Sequence, residues 1–251
     1  MLEITFIPAF KDNYIWLLHD ETDAAVVDPG DAAAVSWRLK AEGLTLKAIL
    51  ITHHHADHQG GVAGLLEEYD VPVYGPAIES ITGCNHPLTD GREIEVLGTR
   101  FEVMAVPGHT KGHLAYYSPG ILFCGDTLFA GGCGRLFEGT PAEMHDSLCR
   151  LAALPEDTLI YCAHEYTEAN LCFAMEVEPK NRDTAKRAGI AAFQRLRGKP
   201  TVPSTIGEER RTNPFLRCLQ PAVISAAQKH DPNAHDPVSV FAAIREWKNH
   251  Y

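Results

Sequence analysis

The sequence predicts an α/β protein that ends in a helical region. Short apolar runs alternate with helical patterns over the first two thirds of the chain, and turn residues separate them. After Glu165 the pattern becomes helical and rich in Ala, Arg and Lys. Hydrophobic residues make up 45% of the 251 residues, which is enough for a substantial core. We therefore expect a mixed α/β domain over residues 1–165 and a helical domain over residues 166–251.

Strands are predicted where a short apolar run lies between turn residues. They cover residues 4–8, 14–19, 24–28, 47–52, 71–74, 93–97, 100–106, 113–117, 121–125 and 158–163. Helices are predicted over residues 31–42, 61–68 and 141–153, the last with Thr140 as its N-cap and Pro141 as its first residue. Further along, "TEANLCFAMEVEP", "NRDTAKRAGIAAFQRLRGK" and "PVSVFAAIREWKNHY" predict helices, whereas "TVPSTIGEERRTNP" predicts a loop.

The composition argues against several classes of protein. The net charge is −11 and there is no basic run, so we expect no nucleic-acid partner. The apolar runs are too short to span a bilayer and the first residues lack the features of a signal peptide, so we expect a cytoplasmic protein without a membrane partner. We also expect a monomer. The seven cysteines are odd in number and include no C-x-x-C, which predicts neither a disulfide framework nor a cysteine-rich zinc site.

The stretch "THHHADHQGG" places several metal-binding side chains at the end of one predicted strand. His53 and His55 lie two residues apart, so they project to the same side of a strand and could bind one ion. Asp57 and His58 lie past the strand, where they could bind a second ion. His54 should point to the opposite face, where it would be structural or would support a neighbouring ligand. His113 could be a ligand, but it starts another strand, so we favour a packing or hydrogen-bonding role for it.

Further candidate ligands follow three other predicted strands. They are His109, Asp126 and His164, and each lies where its strand would end at the same rim of a sheet. The set contains histidines and carboxylates but no cysteine, which is typical of catalytic rather than structural metal sites. Because a carboxylate can bridge two cations, the pattern indicates hydrolysis at a pair of metal ions.

These residues resemble the H-x-H-x-D-H motif of the metallo-β-lactamase superfamily. "FCGDTLFAGGCGRLFEGT", "AHEYT", "TVPSTIGEERRTNPFLR" and "DPVSVFAAIREWKNHY" further resemble the glyoxalase II (hydroxyacylglutathione hydrolase) family, and the resemblance covers the chain almost from end to end. It implies an αββα sandwich with a dimetal site at one edge of two sheets. It also implies hydrolysis of S-2-hydroxyacylglutathione thioesters, chiefly S-D-lactoylglutathione to glutathione and D-lactate, the second step of methylglyoxal detoxification.

The same resemblance implies a role for individual residues. The first metal would be bound by His53, His55 and His109, and the second by Asp57, His58 and His164. Asp126 would bridge the two metals. Arg135 and Tyr166 would contact the glutathione moiety, and Arg245 with Lys248 would bind its glycine carboxylate. Phe137 stands where some relatives carry Tyr, so a hydroxyl contact would be lost there. Two divalent ions are implied, zinc first, although iron and manganese suit the same donors.

The implied chemistry agrees with elementary electrostatics. A water shared by two cations has its pKa lowered toward ~7, so it would supply hydroxide to attack the thioester carbonyl, with Asp57 orienting it and Asp126 holding both ions. The leaving thiol has a pKa near 8.5, so no dedicated general acid is required. Glutathione carries two carboxylates, and a chain of net charge −11 needs local cations such as Arg135, Arg245 and Lys248 to bind it.

Other interpretations remain open at this stage. Cys133 could act as a thiol nucleophile, although a small buried role is expected for it. Asp28 either binds a ligand histidine or only begins a turn. The same fold could act on a lactone, a β-lactam or a phosphodiester, and a persulfide dioxygenase with a single iron would not need Asp57 and His58 as ligands. A metal-binding scaffold without catalysis is the non-enzymatic alternative.

Overall fold

The computed structural model describes residues 2–251, which form two compact units. The first unit contains residues 2–105 and Thr110–Gly125, and the second contains Val106–His109 and Asp126–Tyr251. These units do not coincide with the expected domains 1–165 and 166–251, and that division stays a prediction. Across residues 2–251, no helix combines the length and apolar composition that crossing a membrane requires.

The first unit is built from ten strands and three short helices. Its strands are β1 (Glu3–Ala9), β2 (Asn13–His19), β3 (Asp23–Val27), β4 (Thr45–Leu50), β5 (Val73–Pro76), β6 (His86–Leu88), β7 (Glu93–Val96), β8 (Thr99–Ala105), β9 (Leu114–Ser118) and β10 (Ile121–Gly125). Its helices are α1 (Ala32–Glu42), α2 (Ala56–Gln59) and α3 (Val62–Glu68).

The second unit is mostly helical. Its strands are β11 (Leu128–Phe129), β12 (Gly132–Cys133), β13 (Leu159–Cys162) and β14 (Ser204–Thr205). Its helices are α4 (Pro141–Ala152), α5 (Thr167–Val177), α6 (Arg182–Leu196), α7 (Ile206–Thr212), α8 (Pro221–Ala227) and α9 (Pro237–Asn249), with one 3₁₀ turn at Pro214–Leu216.

The first sheet of the first unit has the order β1-β2-β3-β4-β5-β6. Its first three strands are antiparallel, and β3 to β6 run parallel. Side chains from α1 and α3, including Val35 and Leu65, join the apolar core that covers this sheet. The Asp31 side chain caps α1, and Gly43 ends it in the left-handed region at φ 69°. Burial of these apolar faces holds the strand that leads into the histidine-rich loop.

Strands β7, β8, β9 and β10 are consecutive antiparallel neighbours in a second sheet. The buried Tyr116 of β9 donates its hydroxyl to the Ile51 carbonyl at 2.7 Å, and Leu114 N–H donates to the Thr52 carbonyl at 2.9 Å. Burial also raises the pKa of Tyr116 well above its usual value, so this hydroxyl keeps its proton. The two bonds fix the chain just before the first candidate ligand.

A buried ionic cluster organises the second unit. Glu209 of α7 is fully buried and accepts hydrogen bonds from Arg187 at 2.5 Å and from Ser204 at 2.7 Å. Its other oxygen accepts from the Gly131 N–H at 2.8 Å and from Asn213 at 3.0 Å. Because Gly131 lies between β11 and β12, this carboxylate holds the β11–β12 hairpin onto the helices. Removing one partner of such a buried pair typically costs about 3–5 kcal/mol.

The predicted elements agree with the structure to within about three residues, and the predicted capping of the fourth helix is confirmed in full. Thr140 and Glu143 form a reciprocal capping box with Pro141 in the first turn of α4. One prediction is wrong: "TVPSTIGEERRTNP" is not simply a loop, because it contains β14 and α7. Thr205 and Asn213 flank α7, and the Thr205 side chain caps it. A helix therefore forms between Pro203 and Pro214. Strands β6, β11 and β12 and helices α2 and α8 were not predicted.

Candidate metal centre and substrate cavity

The loop after β4 is organised by Asp28. This buried carboxylate accepts hydrogen bonds from the Thr52 N–H and hydroxyl, both at 2.8 Å, and from His58 Nδ1 at 2.9 Å. Asp28 adopts φ 53°, a left-handed conformation that Asp tolerates better than most residues. The expected hydrogen bond between Asp28 and a candidate ligand histidine is thus present, and the position of Asp28 in the "DPGD" turn serves that contact.

His53 and His55 face one another through ring nitrogens. The Thr52 hydroxyl donates to Asp28, so its oxygen accepts from His53 Nδ1, which lies 3.0 Å away. That leaves the His53 Nε2 lone pair directed at His55 Nδ1, 3.0 Å away. The expected strand geometry is wrong in detail, because β4 ends at Leu50 and both histidines lie in the following loop. Two imidazole nitrogens this close fit a shared cation.

Asp57 and His58 lie side by side on the single turn of helix α2. His58 Nε2 is 3.5 Å from Asp57 Oδ2. Asn13, from the start of β2, donates to the same Asp57 oxygen at 2.9 Å. Since Asp28 binds His58 Nδ1, the Nε2 atom is the one presented for ligation. In each of the pairs His53–His55, His53–His58 and Asp57–His58, a donor atom of one residue lies within 4.8 Å of a donor atom of the other.

The second unit carries the remaining three candidate ligands. Asp126 Oδ2 is 3.4 Å from His109 Nε2, and Asp126 Oδ1 is 3.3 Å from His164 Nε2. His109 donates from Nδ1 to the Arg135 carbonyl at 2.8 Å, which fixes Nε2 as its ligating atom. One carboxylate whose two oxygens each face a different histidine has the arrangement of a bridging metal ligand. These three side chains are buried, as the desolvated centre of a site requires.

The donor set fits divalent cations. The donors are imidazole nitrogens and carboxylate oxygens only, and His53, His58 and His109 each have Nδ1 bound to a fixed partner. Orientation by such partners is the usual companion of metal-binding histidines. His113 is fully buried and stacks on His53 with ring centroids 4.6 Å apart, which agrees with the packing role that we favoured over ligation.

A cavity of about 370 Å³ in the second unit brings together the predicted substrate-binding residues. It is lined by His109 and Asp126 together with Arg135, Phe137, Tyr166, Arg245 and Lys248. The Tyr166 ring stacks on His164 with centroids 4.8 Å apart, and the Phe137 ring lies edge-on to His109 at 5.2 Å. Aromatic walls thus flank two candidate ligands, and three cationic side chains share the cavity with them.

Helix α9 contributes two cations with different environments. Arg245 is buried and donates from Nη1 to the Cys133 carbonyl at 2.9 Å, while its Nε has no hydrogen-bond partner among residues 2–251. Burial, reinforced by the neighbouring Arg245, lowers the pKa of Lys248 to about 8. Both effects indicate a cationic pocket that an anionic group would stabilise.

The thiol alternative is disfavoured by the environment of Cys133. This residue is buried, and burial raises the pKa of its thiol despite the nearby Arg245 guanidinium. Because the thiolate is the nucleophilic form, a raised pKa reduces its reactivity. Cys133 instead contributes its carbonyl to Arg245 and packs in the cavity wall, as expected for a small buried residue.

Sequence reasoning missed three residues that hold the candidate ligands. Asn13 lies far upstream of Asp57 and no local pattern connects them. Thr52 could have been recognised, since a polar residue directly ahead of two ligand histidines is placed to bind their rings. Glu79, which binds the His54 N–H at 2.7 Å, lies in an otherwise unremarked turn.

Comparison with known proteins identifies the family. The family model described as "Metallo-beta-lactamase superfamily" matches residues 10–164, and that described as "Hydroxyacylglutathione hydrolase C-terminus" matches residues 165–251. A protein of Dechloromonas aromatica (strain RCB), named "Hydroxyacylglutathione hydrolase", is 59% identical over 263 residues and covers 99% of each chain. The chain belongs to the hydroxyacylglutathione hydrolase family.

Solved structures with the same fold support the architecture of this hydroxyacylglutathione hydrolase family member. ETHE1 from Myxococcus xanthus matches with a TM-score of 0.66 and 26% identity, over 99% of this chain and 98% of that one. TTHA1623, solved in a di-iron-bound form, matches with a TM-score of 0.59 and 29% identity, over 85% of this chain and 100% of that one. The α/β sandwich of the metallo-β-lactamase fold, with its helical C-terminal region, is thereby confirmed. The chain is a metal-dependent hydrolase, and its His and Asp donors fit a dinuclear site.

Proposed function

We propose that this protein hydrolyses S-2-hydroxyacylglutathione thioesters, chiefly S-D-lactoylglutathione to glutathione and D-lactate. The observation that carries the proposal is the cavity in which His109 and Asp126 share walls with Arg135, Arg245 and Lys248. Candidate metal ligands and a cationic pocket occur together there, as a substrate with a thioester and a distant carboxylate requires. Relatives of matching length carry the corresponding name.

We propose that two divalent ions, most simply zinc, occupy the site. One ion would be held by His53, His55 and His109. The other would be held by Asp57, His58 and His164, and Asp126 would bind both ions. The two oxygens of Asp126 facing His109 and His164 support the bridging role. The di-iron form of the related TTHA1623 structure supports a pair of ions, and iron or manganese would suit the same donors.

The side chains of the protein position the reactants. When bound, the cations supply Lewis-acid polarisation of the thioester carbonyl and lower the pKa of water toward ~7. Asp57, held by Asn13, orients the attacking water. Arg245 and Lys248 bind the glycine carboxylate, and Arg135 with Tyr166 contacts the peptide. Glutathione leaves as a thiolate. The pKa of the corresponding thiol is near 8.5, so no proton donor is needed.

Phe137 and Tyr166 give the cavity its partly exposed aromatic rim. Phe137 is 62% exposed and Tyr166 is 38% exposed, so both have surface left for a ligand. Phe137 can offer apolar contact only, which leaves Tyr166 as the rim residue with a hydroxyl for the peptide. A role in methylglyoxal detoxification follows from the same proposal. The monomeric state and the cytoplasmic location expected from the sequence stay predictions.

The proposal is tested by assaying the purified holoenzyme with S-D-lactoylglutathione, a lactone and a β-lactam, each with and without a chelator. We expect hydrolysis of the thioester, measured as glutathione release, and no hydrolysis of the lactone or the β-lactam; the chelator should abolish the thioester reaction. Asp126→Ala should lower kcat/KM by more than ~100-fold, because changes to groups that merely support ligands already cost 10–100-fold. Asp157→Asn, at an exposed position, is the matched control. Preferential turnover of the lactone or β-lactam by the metal-loaded protein would refute the substrate assignment.

A further inference from the structure

The side chain of Glu79 connects two loops of the first unit next to the candidate ligands. Its Oε2 accepts a hydrogen bond from the His54 N–H at 2.7 Å. Its Oε1 accepts from the Thr110 hydroxyl at 2.5 Å and from the Gly112 N–H at 2.8 Å. His54 lies between His53 and His55, and Thr110 follows His109 in the chain. One carboxylate therefore fixes the histidine loop against the segment that leads away from His109.

Gln59 fixes the other side of His54. Its Nε2 donates to the His54 carbonyl at 2.5 Å and to the Ser80 carbonyl at 3.2 Å, and its Oε1 accepts from the Thr82 N–H at 2.7 Å. The N–H and the carbonyl of His54 belong to the two peptide planes that flank it. Both planes are therefore bound to the segment 79–82 or to its neighbour Gln59, which restricts the backbone angles of His53 and His55.

The packing around Gly112 shows that this arrangement is close-fitting. A Cβ added at Gly112 would lie 2.6 Å from Glu79 Cγ and 2.9 Å from Glu79 Oε1. Only glycine lets the backbone approach the carboxylate closely enough for the 2.8 Å bond. The position of the Glu79 side chain is thus determined by three donors and by the shape of the neighbouring chain.

We propose that Glu79 is a positioning residue that sets the relative orientation of the His53 and His55 rings through the backbone of His54. The inference rests on the proposed metal site. In this role His54 acts through its backbone, because Glu79 binds its N–H and Gln59 binds its carbonyl. Ring nitrogens 3.0 Å apart tolerate little rotation before one of them leaves the ion.

The deciding variant is Glu79→Gln. Glutamine has one acceptor oxygen, so in either amide orientation an NH₂ group faces a backbone N–H, of His54 or of Gly112. We expect the affinity of the metal-free protein for Zn²⁺, measured by competition with a chromophoric chelator, to fall about 10–100-fold. The KM for S-D-lactoylglutathione should stay within about twofold, because the cationic cavity is lined by residues of the second unit. Saturating zinc should restore most of kcat.

Two further variants keep the test decisive. Glu67→Gln removes the same charge from an exposed position on α3 and should leave zinc affinity unchanged. Gln59→Met releases the His54 carbonyl without touching Glu79 and should weaken zinc binding in the same direction, which covers the case in which Glu79→Gln does not fold. Suppose that Glu79→Gln and Gln59→Met both fold, lower the melting temperature equally with and without zinc, and leave zinc affinity unchanged. Glu79 is then only a structural residue and the proposal is wrong. Because zinc affinity is measured without substrate, failure of the proposed thioesterase activity would be recognised separately.

Discussion

Single hydrogen bonds determine which nitrogen three of the candidate histidine ligands present, namely His53, His58 and His109. Asp28 receives the Thr52 hydroxyl proton, so Thr52 can only accept from His53 Nδ1, and the His53 Nε2 lone pair is left for a cation. Asp28 also receives the proton of His58 Nδ1. One buried carboxylate therefore sets the tautomers of two histidines, of His58 directly and of His53 through the Thr52 hydroxyl.

Lys248 should give the reaction a pH dependence of its own. Its pKa is lowered to about 8, chiefly by burial and then by Arg245, so the ammonium is mostly charged at pH 7 and mostly neutral at pH 9. The attraction for a substrate carboxylate is thus present below pH 8 and is lost as the pH rises through that value. We expect the KM for S-D-lactoylglutathione to increase above pH 8 while kcat changes little, as measured from initial rates between pH 6.5 and pH 9.5.

Lys248→Arg is the informative control for this limb of the pH profile. A guanidinium keeps its charge throughout the range, so the increase in KM should shift to higher pH or disappear. An unchanged alkaline limb in Lys248→Arg would assign the titration to another group and remove Lys248 from the carboxylate pocket.

At the scale of elements, α4 supports the loop that carries His109. Ser147 of α4 donates to the Pro107 carbonyl at 2.7 Å, and Gly108 packs directly against Met144. Gly108 adopts φ 150°, and a Cβ there would lie 2.7 Å from Met144 Cβ and 2.9 Å from its Cα. The helix is held in turn by its capping box at Thr140, so local helix signals determine the position of a candidate ligand.

Gly108→Ala should damage both stability and metal binding. The added methyl group meets the backbone of α4, which cannot yield as a flexible side chain would, so the loop must move and carry His109 with it. We expect a loss of about 1–3 kcal/mol in the free energy of unfolding, typical of overpacking, measured by urea denaturation. A lower kcat/KM should accompany this loss.

Gly189→Ala is the opposite case in the same unit. Gly189 lies exposed within α6 and nothing surrounds its Cβ position within 4 Å. Alanine should therefore stabilise the protein by about 0.5–1 kcal/mol without changing activity. Equal effects of the two substitutions would contradict the packing role of Gly108.

Sequence patterns predicted those elements that carry strong local signals. Strand β10 was predicted with its observed bounds, because apolar runs and turn residues define it. Strand β6 was not, because "HPL" has neither length nor alternation and pairs only through the neighbouring β5. Helix α7 was missed since seven residues with four charges and flanking prolines resemble a loop. Such elements depend on tertiary contacts, here the buried Glu209, that no local window contains.

The candidate site likewise contains some residues that the sequence predicts and others that depend on tertiary contacts. The ligand types and spacings were recognisable from the motif, and the structure brings His53 next to His55, Asp57 next to His58, and Asp126 next to both His109 and His164. The supporting contacts of Asn13 and Glu79 could not be predicted, because they join residues far apart in sequence through single hydrogen bonds. The candidate ligands follow the ends of strands and can be recognised in the sequence, whereas a hydrogen bond between two loops leaves no sequence pattern.

For the whole molecule, the net charge of −11 opposes binding of an anionic substrate at long range. Arg135, Arg245 and Lys248 around one cavity reverse that field locally. A cluster of cations in a low-dielectric pocket acts over a short distance and is screened less by salt than surface charges are. The acidic surface and the cationic cavity can therefore coexist, the first favouring solubility and the second recognition.

Metal removal should lower the thermal stability of the whole protein. Ions that bind only the folded state stabilise it by about 4 kcal/mol when their concentration is a thousand times Kd. For a chain of 251 residues this corresponds to a melting temperature higher by on the order of 10 °C. We expect a chelator to lower the melting temperature by such an amount in calorimetry, and added zinc to restore it. Identical melting curves with and without chelator would indicate that the ligands do not bind an ion in the native state.

The environment of Cys133 has a consequence for the chemistry of the product. In the proposed reaction, glutathione would leave through a cavity whose wall contains Cys133. Because burial keeps the Cys133 thiol protonated and Arg245 occupies its carbonyl, the residue should resist forming a mixed disulfide. We therefore expect Cys133 to stay unmodified when the protein is incubated with oxidised glutathione.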